Sequence, residues 1–224
     1  MTIDGLTVVG DVPGAFAERV IDSFGARAEE TYSIALSGGD TARRCYERLA
    51  EDGATRIDWW KVDVYWGDER CVPPDHPDSN ERLVRDALLE RVGAANAVYP
   101  MRCDEGPDAY QQRVATAGRF DVVHLGLGPD GHTASLFPDS PAIDADPGRL
   151  VAMNEDPHGR NPHPRMTLTY SGIARARLVV FTVAGEAKRE AFARVRSGDL
   201  ACPAARVRAE RIVWLVDPAA AGEE

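Results

Sequence analysis

Short runs of apolar, β-branched residues alternate along this chain with longer stretches in which apolar residues recur at spacings of three and four. These are the periods of buried strands and of one-sided helices. Leu6 to Val9 reads as a first strand, and Asp11-Val12-Pro13 opens a helix over Ala15 to Glu30 in which Phe16, Val20, Ile21 and Phe24 form one buried stripe. Ser33 to Leu36 is the second strand; it runs into Ser37-Gly38-Gly39-Asp40-Thr41 and a helix over Ala42 to Glu51. Val62 to Trp66 is the third, left through Gly67-Asp68-Glu69-Arg70 and a loop of turn formers, after which Ser79 or Asn80 caps a helix from Glu81 to Arg91. Ala97 to Pro100 predicts a short strand, Pro107 to Ala117 a helix, and Phe120 to Leu125 a buried strand that ends at Gly126-Leu127-Gly128-Pro129-Asp130-Gly131. The following His132 to Phe137 can open a short helix. Strands are expected at Leu150 to Met153, Met166 to Thr169, Leu178 to Val183 and Arg211 to Val216, a helix from Gly185 to Arg196, and a frayed tail.

Strand followed by helix, repeated with continuously apolar strands, means parallel pairing covered on both faces, an α/β class. Neither an internal repeat nor a long linker divides the 224 residues, so residues 1–224 are expected to form one domain. The nearest candidate for a lid is the loop Asn154 to Pro164.

Composition narrows the partners. The net charge of -10 argues against nucleic acid or an anionic membrane, but permits a small anion where basic groups converge. Cys45, Cys71, Cys103 and Cys202 form no C-x-x-C pair, so neither a zinc knot nor a disulfide is expected, and reduced thiols in a cytoplasm fit best. No apolar run reaches the length of a membrane span, and the amino terminus lacks the order of a signal peptide. His76, His158 and His163 lie in proline-rich loops at spacings that match no common ligand pattern, so no metal is expected.

Candidate chemistry gathers where predicted strands end. His132 falls just past one, where open α/β sheets place ligands, and histidine exchanges protons near neutral pH. Ser37, Gly38, Gly39, Asp40 and Thr41 join a strand to a helix, so their backbone N–H groups suit a phosphate; the spacing of a nucleotide P-loop or dinucleotide fold is absent. Arg70 can hold a phosphate or carboxylate by paired hydrogen bonds, with the adjacent acids Asp68 and Glu69 orienting it. Arg165 and Lys188 stand at two further element ends, and all these cations are expected at one rim of one sheet.

Ser37-Gly38-Gly39, Trp66-Gly67-Asp68-Glu69-Arg70, Ser79-Asn80, Gly126 to Pro138, Arg165-Met166-Thr167-Leu168-Thr169 and Gly185-Glu186-Ala187-Lys188 resemble, in sequence and order, the signatures of 6-phosphogluconolactonases. The resemblance runs from about residue 33 to the end, and the Asp-Gly-His-Thr-Ala-Ser-Leu-Phe-Pro stretch is its most specific part. It implies a three-layer α/β/α domain with a Rossmann-like, mostly parallel sheet. It implies hydrolysis of 6-phospho-D-glucono-1,5-lactone in the oxidative pentose phosphate pathway, with no redox cofactor and no obligatory metal. His132 is then the general base, Asp130 or Glu69 orients its imidazole, and Ser37 to Thr41 with Arg70, Arg165 and Lys188 hold the phosphate. The partner is a phosphosugar lactone, and the protein a cytoplasmic monomer or small homo-oligomer. Two positions depart from the family: Asp40 stands where a small or hydroxyl residue is usual, and Arg43 where proline is common. A carboxylate repels phosphate, so Asp40 is expected to cap the helix or point aside. The alternatives are a glucosamine-6-phosphate type deaminase or isomerase, which shares Asp-Gly-His but continues differently, and a non-catalytic sugar-phosphate sensor.

Overall fold

The computed structural model describes residues 5–223. In chain order its strands are β1 (Leu6–Val8), β2 (Tyr32–Leu36), β3 (Val62–Trp66), β4 (Asp68–Arg70), β5 (Ala97–Tyr99), β6 (Phe120–Gly126), β7 (Val151–Asn154), β8 (Arg165–Leu168), β9 (Ala176–Val183) and β10 (Arg211–Val216). Seven of them form one parallel sheet in the order β1-β10-β9-β6-β2-β3-β5. Its interior strands are buried on both faces, which is why they read as unbroken apolar runs. Helices α1 (Val12–Gly25), α2 (Asp40–Gly53), α3 (Asn80–Val84), α4 (Gly106–Ala117), α5 (Tyr170–Ile173), α6 (Arg189–Ser197) and α7 (Pro218–Ala221) supply the crossovers and flank the sheet. This is the expected three-layer α/β/α arrangement with a Rossmann-like sheet. From β2 the chain winds one way through β3 and β5, then returns to β6 and winds the other way. The order therefore reverses between β2 and β6, where such sheets open a ligand crevice beyond the strands' carboxyl ends.

The second sheet departs from expectation. β4, β8 and β7 form an antiparallel ribbon with Arg70 opposite Arg165. It hangs from the carboxyl end of β3: Gly67 donates its N–H to Leu36 and accepts from Leu168 N–H, both at 2.8 Å. Asp68 to Arg70 is thus a strand rather than a loop, and Arg165 lies on this ribbon, not on the rim of the main sheet.

Other differences are local. α1 stops at Gly25, since residues 26 to 30 offer no large apolar side chain to continue its stripe. Beyond α3, capped by Ser79 Oγ as expected, the helix widens to a π-turn over Arg85–Leu89. His132 to Phe137 forms no helix; Thr133 and Leu136 make an isolated β-bridge and Ala134 sits at φ 47°. The tail after β10 is ordered as α7, with Asp217 accepting from Ala220 N–H at 2.7 Å. Cys71 and Cys103 form a disulfide, Cα atoms 5.4 Å apart, against the expectation of reduced thiols. The bond joins the end of β4 to the turn after β5, linking two cysteines 32 positions apart that no sequence spacing pairs. Cys45 and Cys202 are free and buried.

Candidate active site

The turn after β2 is braced from below. Ser37 Oγ donates to the His124 carbonyl at 2.7 Å, and the Tyr46 hydroxyl lies 2.8 Å from Ser37 N, Ser37 O and His124 Nδ1. A hydroxyl has one proton, so Tyr46 donates to the Ser37 carbonyl while Ser37 N–H and His124 Nδ1–H donate to it. His124 Nε2 then accepts from Thr182 Oγ1, 2.8 Å away. Burial pushes the His124 pKa down to about 3, so this histidine is neutral and structural. Among the described residues the Gly38 and Gly39 amides have no acceptor, and both glycines line the crevice. Gly38 is required sterically: a Cβ there would lie 1.8 Å from Asn80 Oδ1.

Asp40 is the first residue of α2 and exposed, and the helix has no side-chain cap. It therefore does not cap the helix. Asp40 and Thr41 line an adjoining hollow that shares Gly38, Gly39, Gly126, Leu127 and Lys188 with the main crevice.

Across the crevice, the turn after β6 aims His132. Its Nδ1 lies 2.5 Å from Asp130 Oδ1, which also accepts the His132 N–H at 3.1 Å. Burial raises the Asp130 pKa, but hydrogen bonds from His132 outweigh it and hold the carboxyl at about 2. An ionised carboxylate only accepts, so the imidazole proton sits on Nδ1 and Nε2 carries the free lone pair. Gly128 is the platform for the ring, since a Cβ there would come within 2.1 Å of Nδ1. Phe137 packs edge-on, ring centroids 5.0 Å apart.

The two turns, the ribbon and the start of α6 enclose a 260 Å³ cavity lined by His132, Arg70, Arg165, Lys188, Asp68, Asn80 and Asn161, among others. It is slightly smaller than most small-molecule sites, roughly 300–1,000 Å³, and suits a compact ligand. Arg165 is buried and bonds only backbone carbonyls, of Pro162 at 3.0 Å and His163 at 3.3 Å. Arg70 bonds the Asp78 carbonyl, and its Nε is buried without a partner. Lys188 is half-buried at the turn after β9. Burial lowers the pKa of both Arg165 and Lys188, while Asp130 and Asp40 act on Lys188 in the opposite direction. None of the three cations makes an ion pair among the described residues, although most arginines of the protein do. Asp68 is the one carboxylate among the residues that line this pocket.

Glu69 does not orient the imidazole. Side chains alternate along a strand, so Asp68 and Arg70 share the face toward the cavity and Glu69 takes the other. Its carboxylate accepts from the N–H groups of Arg70, Asn80 and Glu81 at 2.7 to 2.8 Å and from Ser79 Oγ at 3.1 Å, which seats α3. Burial raises its pKa against those hydrogen bonds. Asp68 is the acid on the cavity side, accepting from Ser135 Oγ at 2.6 Å and Asn80 Nδ2 at 3.3 Å. The alternation of a strand at 68–70 is the signal that would have chosen it over Glu69. Asn80, read from sequence as a possible cap and as part of the Ser79-Asn80 signature but given no role in the site, presents a buried Oδ1 without a partner among the described residues.

The family model for "Glucosamine-6-phosphate isomerases/6-phosphogluconolactonase" matches residues 11–214. The chain is 41% identical over 210 residues to a 6-phosphogluconolactonase of Nostoc sp., covering 86% of this chain and 84% of that one. It is 39% identical to one from Synechocystis sp., covering 89% and 86%. A crystal structure of 6-phosphogluconolactonase from Thermotoga maritima superimposes with a TM-score of 0.83 at 28% identity, covering 95% of this chain and 98% of that one.

Proposed function

Because the chain belongs to the glucosamine-6-phosphate isomerase/6-phosphogluconolactonase family, we propose that it is a lactonase that hydrolyses 6-phospho-D-glucono-1,5-lactone to 6-phosphogluconate in the oxidative pentose phosphate pathway. The observation that carries the reading is the Asp130–His132 pair facing a cavity whose three cations have no carboxylate of their own. Arg70, Arg165, Lys188 and the amides of Gly38 and Gly39 hold the phosphate, and so set the distance from it to the ring. His132 Nε2 takes a proton from water as the water oxygen attacks the lactone carbonyl carbon. The imidazolium is stabilised by Asp130, and the negative charge on the carbonyl oxygen develops inside the same electropositive shell. As the bond from that carbon to the ring oxygen breaks, His132 returns the proton to the ring oxygen. Water is thereby split between the two product groups, and no oxidant or cofactor is consumed.

A deaminase or isomerase would need a base placed to take a proton from C2, and the Thr-Ala-Ser-Leu-Phe-Pro continuation after His132 is the lactonase form in the sequence reading. A cytoplasmic monomer or small homo-oligomer is the setting we propose. Among the described residues no helix is long and apolar enough to cross a membrane. The Cys71–Cys103 bond is the one feature that pulls against a reducing compartment.

The test follows hydrolysis of freshly prepared phosphorylated lactone. His132→Ala should lose roughly 10²- to 10⁴-fold in kcat, the usual worth of a positioned acid–base group. Full activity in that variant, or release of ammonia from glucosamine-6-phosphate by the wild type, overturns the assignment.

A further inference from the structure

The loop that follows β4 and the loop from Asn154 to Pro164 meet beside the cavity, and at the point of contact they bring two imidazoles to one carboxylate. His163 Nε2 lies 2.9 Å from Asp78 Oδ2, and His76 Nδ1 lies 3.9 Å from the same oxygen. The three ligating atoms are all within 4.8 Å of one another. Two ligands on one tetrahedral zinc ion, each about 2.0 to 2.2 Å from the metal, stand about 3.4 Å apart, so these separations bracket what an ion requires. His76 Nδ1 accepts the Asp78 N–H at 3.1 Å, so its lone pair is turned to the cluster and an ion would take the place of that hydrogen bond. His163 is held at φ 72° between two prolines, a conformation that side chains other than glycine's seldom adopt. His158, the other histidine of that loop, bonds Asp139 at 3.1 Å and stands outside the cluster.

We propose that His76, Asp78 and His163 form a binding site for a divalent transition ion of the zinc class, with the fourth position open to water, and that the bound ion latches loop 154–164 to the loop after β4. The latch reaches the pocket through main-chain carbonyls. Asp78 O accepts from Arg70, and the carbonyls of Pro162 and His163 accept from Arg165. Asn161 of the same loop lines the cavity. Fixing the three ligands therefore fixes both guanidiniums. This second step rests on the reading of Arg70 and Arg165 as substrate anchors; the site itself does not.

Calorimetric titration of the chelator-treated, dialysed full chain with zinc chloride, in the absence of substrate, tests the site. One ion per chain is expected. His163→Asn should weaken uptake by more than about 100-fold, the upper end of what losing even an outer partner of a metal ligand removes. His158→Asn should leave it unchanged. Cobalt(II) should give the intense visible bands of a tetrahedral ion in the wild type and lose them in His76→Asn. No uptake, or undiminished uptake by His163→Asn with its circular dichroism intact, overturns the site. With the ion bound, KM for the phosphorylated lactone should fall while kcat stays level. An unchanged KM overturns the latch and leaves the catalytic assignment of His132 untouched.

Discussion

At the amino ends of β6, β9 and β10, Asp121, Arg177 and Arg211 line a 320 Å³ hollow together with Arg19 and Arg27. At the carboxyl end of the same sheet lies the 260 Å³ cavity of His132. Both are lined by three or more cations, and the hollow at the amino end is the larger. They differ in what offsets the charge. Arg177 sits 3.6 Å from both Asp121 and Glu29, Arg119 pairs with Glu210, and Asp121 also accepts the Ser33 N–H at 2.8 Å. Among the described residues Arg19, Arg27 and Arg211 make no ion pair there, but three carboxylates, Asp22, Asp121 and Glu210, line that hollow beside them. The carboxyl end sets Arg165, Arg70 and Lys188 around open space with only carbonyl partners or none. Asp68 is the one carboxylate among its lining residues, so in a chain of net charge -10 the excess of cations around this space is the departure that a ligand completes. Volume does not separate the two hollows; the balance of cations and carboxylates that line them does.

The ends also differ in how they are built. Strand ladders hold the amino end, whereas the carboxyl end depends on a ribbon and loops stapled by the Cys71–Cys103 bond directly after Arg70. Removing that staple should have the largest effect on stability. Closing a loop of 32 residues restricts the unfolded chain by roughly 3–4 kcal/mol. Cys103→Ser, or reductant added to the wild type, should lower the urea unfolding free energy by about that much, and unchanged stability would mean the ribbon supports itself. Next in size is the charge contrast itself. Arg165→Gln should reduce kcat/KM for the phosphorylated lactone about 10- to 100-fold, the worth of hydrogen bonds to a charged group at roughly 1.5–3 kcal/mol. It should leave unphosphorylated gluconolactone nearly unaffected, and Arg177→Gln should change neither substrate. Equal losses on both substrates would show that Arg165 supports the fold and does not hold phosphate.

What could be read from the sequence, and what could not, follows from how far apart the contributing residues lie. Strands β2, β3, β6, β9 and β10 announce themselves as apolar runs, and the glycine turns after β2 and β6 punctuate them, so the α/β class and the position of His132 were legible locally. Asp130 was legible as well, two residues from the ring it holds. Asp68-Glu69-Arg70 has no apolar signal, and it becomes a strand only because β8, almost 100 residues later, pairs with it. Without that pairing the alternation could not be seen, and Glu69 was chosen where Asp68 faces the cavity. The disulfide and the cluster of His76 with His163 were hidden for the same reason, since their partners lie far apart in the chain and meet only in the fold. Local period gives the layers; the second sheet, made of short strands and long-range pairs, gives the details of the site.

The smallest effect tests whether Asp130 is set for its partner rather than for the fold at large. Its carboxyl, ordinarily near 3.8, is held at about 2 by the His132 hydrogen bonds in spite of burial. A carboxyl whose folded pKa lies below its unfolded value stabilises the protein fully above the unfolded value, and that contribution is lost as pH falls through the folded one. The window is therefore pH 4 down to pH 2, and the size is about 2 kcal/mol. Asp130→Asn should accordingly be less stable than the wild type at neutral pH by about that amount, and the gap should narrow as the pH falls through this window. It should also lower kcat with little change in KM, because an amide no longer fixes the proton on Nδ1. A stability gap of the same size at pH 7 and pH 2 would mean that the carboxylate's charge is not what couples it to the imidazole. The contrast between the two ends of the sheet would then rest on the cations alone.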